Sequence, residues 1–274
     1  MIGERWKRRL KRRTLQFVVR RGYDIEKDAS GFPPYRLLKR LALGRDALDD
    51  VRTIHGGDIH WVFDVGAHVG QSAAEFLDAF PRARIHSFEP SPTSYQELCG
   101  LATRAPRVTA VNAAVGDQEG HATLYVNKLS VTNSLLKTSP GAGNFLVASD
   151  ALDAREETKV PVVTLDRYCA GHGIPRIDLL KLDAQGYELR VLEGARELIR
   201  REAIPLIHLE VCFVRFYEQQ PLFPEVYQYL YDRDYRLVWL YDSSFHAYLY
   251  TVAANALFVH RHTGERLTQE RRRP

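Results

Sequence analysis

The sequence predicts an α/β domain built on a doubly wound, mostly parallel sheet. Three observations carry that reading. An apolar run ends in an acid and a glycine-rich turn, Val62-Phe63-Asp64-Val65-Gly66-Ala67-His68-Val69-Gly70. A second apolar run ending in an acid, Ile85-His86-Ser87-Phe88-Glu89-Pro90, follows about 20 residues on, the spacing of a nucleotide-binding βαβ unit. From Trp61 onward strand and helix patterns alternate, which implies parallel strands with helices on both faces.

The elements follow in order along 274 residues, a length that suits one large domain with an extension. Residues 4–21 mix Trp6, Leu10, Leu15, Phe17, Val18 and Val19 with many Arg and Lys, a basic helix with an apolar stripe. That stripe packs on the main domain, meets a second subunit to make a homo-oligomer, or touches a membrane surface; the residues leave the three open. Gly31-Phe32-Pro33-Pro34 breaks the chain, and a short helical stretch to about residue 51 leads into the sheet. The extension is therefore assigned to 1–55 and the main domain to 56–274.

Strands are expected at 59–65, 84–88 and 108–115, with an added one at 122–126, and helices at 71–80 and 94–104. Residues 127–150 lack either periodicity and hold Ser139-Pro140-Gly141-Ala142-Gly143-Asn144, so they read as a long loop near the strand ends, a common place for a lid. An apolar stretch at 160–165, a short helix and turn at 166–173, a strand at 177–182 ending at Asp183 and a helix at 187–201 come next. The strand at 204–211 is interrupted by His208 and closed by Glu210, and 223–232 is helical. Two last strands, 236–241 and 256–260, have only a short turn-bearing segment between them, which fits an antiparallel hairpin at one sheet edge.

Composition excludes several classes. The formal net charge is only +4, and much of the excess sits in 5–21 and 271–273, so no nucleic-acid partner is implied. Cys99, Cys169 and Cys212 are odd in number and far apart, which suggests neither a disulfide framework nor a zinc knuckle and points to a reducing compartment, the cytoplasm. No stretch approaches the roughly 18 apolar residues of a membrane span, and 15–19 is too short for a signal peptide.

The glycine turn lets backbone approach a ligand closely, with the free amides of the next helix facing it. Asp64 just before the turn would repel a phosphate but suits an ammonium, and Glu89 is placed to accept both hydroxyls of a ribose. A carboxylate, an ammonium and a ribose together describe S-adenosylmethionine. A short-chain dehydrogenase loses ground, because Tyr23 with Lys27 and Tyr35 with Lys39 both precede the glycine turn.

These residues carry a resemblance. Asp64 to Gly70, Phe88-Glu89-Pro90, Val111-Asn112-Ala113-Ala114-Val115-Gly116, Thr164-Leu165-Asp166 and Leu180-Lys181-Leu182-Asp183-Ala184-Gln185-Gly186-Tyr187-Glu188 occur in the order seen in the FkbM-type methyltransferases. The chain resembles that family from about residue 61 to about 218, with a weaker echo at Asn255-Ala256-Leu257-Phe258. The resemblance implies a class I, Rossmann-like methyltransferase fold with a seven-stranded sheet. It also implies methylation of a hydroxyl on a sugar, glycolipid or polyketide-type natural product, with S-adenosylmethionine held by Asp64, Gly66, Ala67, His68, Gly70, Glu89, Pro90, Asn112, Ala113 and Asp183. His68 stands where the family usually has Asn, so the side-chain contact there differs while backbone binding persists.

An alcohol must lose its proton on methylation, and Asp183 and Glu210, each at a strand end, are the candidate general bases. His208 is a third, with a hydrogen-bonded core histidine as its plainer reading. The same two carboxylates could instead hold a divalent ion such as Mg2+ that lowers the acceptor's pKa. Ser134 in the long loop, Gln185, Glu188, Tyr217 and Phe245 are candidate contacts to a small-molecule, glycan or glycolipid acceptor, although Glu188 would equally cap the helix it begins. A non-catalytic nucleoside-binding module is the remaining alternative. A nucleic-acid amine methyltransferase is not, since Asp183-Ala184-Gln185-Gly186 replaces the Asn/Asp-Pro-Pro-aromatic grip on a flipped base.

Overall fold

The computed structural model of the chain describes residues 43–145, 150–246 and 249–270. The chain divides into Met1–Asp46 and Ala47–Pro274, and the expected basic helix at 4–21 lies outside the described residues. The larger unit holds every strand and helix named below. Among the described residues no helix is long and apolar enough to cross a membrane.

Helix α1 (Ala47–His55) buries Val51 and Ile54, and Tyr241 donates its hydroxyl proton to the buried Asp50 on it. The expected domain boundary therefore coincides with the end of α1, which itself belongs to the larger unit. Strand β1 (Trp61–Val65), helix α2 (Gln71–Ala79), strand β2 (Arg84–Phe88), helix α3 (Pro92–Arg104) and strand β3 (Val108–Val111) complete the first half as expected. Pro92 begins α3, where its missing N–H costs nothing.

The expected single strand at 108–115 is two. After β3 the chain steps out of the main sheet at Asn112 and Ala113, and β4 (Ala114–Val115) pairs in parallel with β6 (Ala154–Val163). β5 (Gly120–Asn127), expected as an added strand, pairs antiparallel with β6, so the three make a separate small sheet in the order β4-β6-β5. The segment between β5 and β6 is more ordered than a free loop. It carries 3-10 turns at Ser130–Thr132 and Ala142–Phe145 and bridges from Ser134 to Tyr125 and from Thr138 to Tyr217; residues 146–149 lie outside the described residues.

Helix α4 (Leu165–His172) is capped by Thr164, whose side chain accepts from the Arg167 amide, and closed by Gly173 at φ 65°. Strand β7 (Leu179–Leu182) leads to Asp183. The expected helix at 187–201 is broken into α5 (Glu188–Glu193) and α6 (Arg196–Arg200). The break is at Gly194, where a Cβ would come within 2.0 Å of the Gly116 carbonyl oxygen. Two backbones touch there, so only glycine fits. Strand β8 (Leu206–Cys212), helix α7 (Phe223–Tyr231), strands β9 (Tyr235–His246) and β10 (Tyr250–His260), and helix α8 (Arg261–Glu270) finish the described chain. β9 runs further than expected, so Phe245 and His246 lie in the strand and not in the turn.

The main sheet has seven strands in the order β3-β2-β1-β7-β8-β10-β9. All neighbours are parallel except β10, which runs antiparallel to both β8 and β9. This is the class I methyltransferase arrangement with its antiparallel C-terminal hairpin. One face of the sheet is hydrocarbon: Phe63, Val65, Leu180, Leu182, Ile207, Leu209 and Phe258 pack with α4 to α7 into one core. Truncating the fully buried Phe63 to Ala should cost about 3–5 kcal/mol. The other face carries a polar row, because Asp64, Lys181 and His208 are register partners across β1, β7 and β8.

Candidate active site

A cavity of about 290 Å³ opens at the carboxyl ends of β1, β2 and β7, where a parallel sheet binds its ligands. The glycine turn after β1 forms one wall. Gly66 and Ala67 donate their amides to the Phe88 carbonyl at 3.1 and 3.0 Å, which ties the turn to the end of β2. Gly66 has φ 75°, and a Cβ there would lie 1.8 Å from the Asp183 carbonyl oxygen, so no side chain is tolerated. Gln71 and Ser72, at the start of α2, also line the cavity and bring that helix's free amides to it.

Glu89 is the second wall. Its Oε2 accepts the His68 amide and its Oε1 the Ser91 amide, both at 2.8 Å. Each oxygen keeps a lone pair, so the buried carboxylate still offers two acceptors to a diol. Burial raises its pKa, against the pull of those two amides. Asn112 does not line the cavity; its Nδ2 donates to the Glu89 carbonyl at 3.0 Å and supports the acid from behind. Pro90 and Ala113 complete this side.

His68 has φ 49° in the turn, and its Nε2 lies 2.9 Å from Ser130 Oγ. The ring thus bridges the glycine turn to the segment between β5 and β6, whose Ser130, Val131, Asn133, Ser134 and Leu135 roof the cavity. Ser134, read from sequence as an acceptor contact, lines the cavity but spends its hydroxyl on the Gln185 carbonyl at 2.7 Å.

Asp64 lies elsewhere than expected. It is fully buried behind the turn, where Lys181 Nζ sits 3.1 Å from its Oδ1, so it is already paired and faces no ammonium in the cavity. Burial raises the Asp64 pKa, while Lys181 holds it down. Burial also pulls the Lys181 ammonium towards neutrality, but Asp64 and Asp183 outweigh it and hold its pKa above the ordinary value. Lys181 further donates to the Gly66 carbonyl at 3.1 Å, pinning the turn. Sequence reasoning gave Lys181 no role, although a charge inside Leu179-Leu180-Lys181-Leu182 was a legible signal. Gly70 is likewise outside the cavity; at φ 96° it starts α2, and a Cβ there would meet Leu101 at 2.7 Å.

Beside the glycine turn the cavity is acidic. Asp183 lines it with its side chain 42 % exposed, and Lys181 stands 3.7 Å from its Oδ2. Gln185, held at φ 50°, places Nε2 at 2.7 Å from Asp183 Oδ1 and 3.3 Å from Glu210 Oε2. Tyr217, expected to stack on an acceptor, is buried and shares its hydroxyl proton between Gln185 Oε1 at 2.8 Å and the Thr132 carbonyl at 2.9 Å. With Tyr217 donating to Oε1, the amide nitrogen must face the two acids. That nitrogen occupies the place a cation between Asp183 and Glu210 would need, so the donor set does not fit Mg2+.

Burial, and then the nearby Asp183 and Glu188, push Glu210 well above the usual carboxylate range. Glu188 is buried too, and its Oε1 accepts the Ala184 amide at 2.8 Å and the Gly186 amide at 3.2 Å. It closes the turn before α5 and does not line the cavity, a correction to its place as an acceptor contact; burial raises its pKa to about 7. His208 lies one pleat deeper than Glu210 on the same face, edge-on to Tyr241 with ring centroids 6.2 Å apart, and does not reach the cavity. Phe245 is 57 % exposed on β9 and also lies outside it.

A family model described as the methyltransferase FkbM domain matches residues 64–237. The chain belongs to the FkbM methyltransferase family. It is 30% identical over 159 residues to the 31-O-demethyl-FK506 methyltransferase FkbM of Streptomyces tacrolimicus, covering 52% of this chain and 60% of that protein. It is 25% identical over 165 residues to the 2-O-methyltransferase NoeI of Sinorhizobium fredii, covering 58% and 66%. The chain thus matches less than two thirds of the length of either FkbM-family relative. Among solved structures, Aeropyrum pernix fibrillarin with bound S-adenosyl-L-methionine aligns over 74% of this chain and 67% of its own at 13% identity and TM-score 0.41.

Proposed function

We propose that this FkbM-family protein is an S-adenosylmethionine-dependent O-methyltransferase acting on a hydroxyl of a sugar, glycolipid or polyketide-type natural product. One observation carries the reading: a single cavity is lined by the side-chain-free Gly66 turn, the Glu89 carboxylate and Asp183. Gly66 brings bare backbone to the cavity wall while it packs on the Asp183 main chain, and Glu89 holds two lone pairs for a ribose, so these residues fit the nucleoside of the cofactor. One relative is named a 2-O-methyltransferase and the other is named for a 31-O-demethyl compound, which supports an oxygen acceptor.

When bound, S-adenosylmethionine supplies a methyl group on a sulfonium, already a good leaving group. The chain's own task is then alignment and proton removal. Asp183 is the base we assign: of the three candidate bases, Asp183, Glu210 and His208, it is the one that lines the cavity, and its Oδ2 takes the hydroxyl proton while Oδ1 stays bound to Gln185. Glu210, whose pKa burial raises well above the ordinary carboxylate value, acts on Asp183 through Gln185. The acceptor is a small molecule or glycan reached from the cytoplasm, where Cys99, Cys169 and Cys212, all unpaired, stay reduced.

Calorimetric titration with S-adenosylmethionine, followed by methyl transfer from labelled cofactor to a panel of sugar and polyketide alcohols with and without EDTA, tests the reading. Micromolar binding and EDTA-insensitive transfer are expected, and Asp183→Asn should keep the binding and lose the transfer. Absence of cofactor binding at high micromolar concentration overturns the enzyme reading. Asp183→Asn with full transfer overturns the base assignment, and transfer abolished by EDTA overturns the metal-free mechanism.

A further inference from the structure

We propose that Glu202, His260 and His262 form a structural site for a divalent transition metal, with Zn2+ the ion that best suits two imidazoles and a carboxylate. The three side chains come from separate places: Glu202 follows α6, His260 ends β10 and His262 lies in the first turn of α8. Their ligand atoms nevertheless all lie within 4.8 Å of one another, and among the described residues no other group of three such donors converges in this way.

The geometry inside the group is what a cation resolves. His262 Nδ1 lies 2.7 Å from Glu202 Oε2, and His260 Nδ1 lies 3.9 Å from the same oxygen. Two imidazole nitrogens therefore point at one carboxylate oxygen, and one close contact is made. Glu202, at φ 56°, is the left-handed residue that closes α6, its amide bonded to the Ile199 carbonyl and the Ala203 amide to the Leu198 carbonyl. His260 is buried, with the ring of Tyr235 5.2 Å away, which holds its imidazole in place at the inner side of the cluster. Asp234 faces the cluster as well; Arg261 Nε holds its Oδ1 at 2.9 Å, and its charge adds to that of Glu202.

A tetrahedral Zn2+ at about 2.0–2.2 Å from each donor brings the donors to about 3.4 Å from one another. The exposed His262 and Glu202 reach that by side-chain rotation, and solvent supplies the fourth ligand. The place in the fold sets the role. The His260 amide bonds the Pro205 carbonyl, just before β8 begins, so the cluster lies at the amino edge of the parallel strands, opposite the cofactor cavity. A metal there takes no part in methyl transfer; it ties α8 and the end of β10 to the turn after α6.

Tag-free, metal-stripped full-length chain is titrated with Zn2+ by calorimetry and with Co2+ in the visible, and its thermal unfolding is followed with and without Zn2+. One equivalent should bind at micromolar concentration or tighter, with the strong d–d bands of tetrahedral Co2+ and a Tm raised by several degrees. His262→Ala and Glu202→Gln, both at exposed positions, should each weaken binding about tenfold or more and abolish the Tm gain, while affinity for S-adenosylmethionine stays unchanged. No binding at roughly 100 µM Zn2+, or equal binding by His262→Ala, overturns the site. Either result leaves the methyltransferase reading untouched, because the cofactor titration is read separately.

Discussion

The side chain of Gln185 holds that of Asp183, with Nε2 donating to Oδ1 at 2.7 Å. The same nitrogen reaches Glu210 at 3.3 Å, and Tyr217 fixes the other end of the amide. Removing the clamp frees the carboxylate we assign as base, and misplacement by about 1 Å costs on the order of 100-fold. Gln185→Ala is therefore expected to lower kcat by about two orders of magnitude with cofactor affinity little changed, measured with the best acceptor from the panel. Gln185→Glu puts a third carboxylate beside Asp183 and Glu210, and the acid limb of its kcat/KM profile should move to higher pH.

Gly66→Ala tests the packing of the glycine turn on the end of β7. A Cβ 1.8 Å from the Asp183 carbonyl oxygen cannot be absorbed by side-chain motion, because the obstacle is backbone. The variant should lose cofactor binding by calorimetry and shift the β1 and β7 ends apart, with a lower Tm.

Lys181→Met leaves Asp64 buried without its cation. Breaking a buried pair from one side costs about 3–5 kcal/mol, and the loss should appear in urea unfolding. Asp64→Asn combined with Lys181→Met removes both charges and should recover part of it. A double variant no more stable than the single one would show that the pair is not what Lys181 contributes.

Glu188 makes stability pH-dependent. Its folded pKa of about 7 lies above the ordinary 4.5, so the folded state holds the proton more tightly. The stability this supplies is complete below about pH 4.5 and is lost as pH rises through about 7. Glu188→Gln keeps an oxygen for the Ala184 and Gly186 amides. The Tm difference between variant and wild type should therefore shift in the variant's favour from pH 4.5 to 7 and then level off. His86, whose pKa burial lowers to about 4, acts in the opposite sense, but it is common to both proteins and drops out of the difference.

Much of the sheet was legible because its signals are local. Apolar runs ending in Asp64, Glu89 and Asp183 mark β1, β2 and β7, and the glycine turn marks the first crossover. Of the small second sheet only β5 was legible: β4 is two residues long, and β6 opens on Ala-Arg-Glu-Glu-Thr-Lys, an exposed stretch with no buried alternation to read. The break at Gly194 depends on a contact with Gly116 far away in sequence, which no window of residues contains. At the site, acids at strand ends were found from sequence, but whether each faces the cavity was not. Asp64, Glu188 and Tyr217 are consumed by Lys181, by two amides and by Gln185, partners set by the tertiary fold.

The polar row across the sheet has a bearing on how the chain finds its own alignment. Were β7 to slide by one residue against β1, the Lys181 ammonium would turn to the side that carries Leu180 and Leu182, into hydrocarbon, and Asp64 would be stranded. The misaligned pairing is penalised twice, by a cation in oil and by an orphaned anion. A charge that looks out of place in an apolar strand thereby becomes the key that admits one pairing and rejects its neighbours.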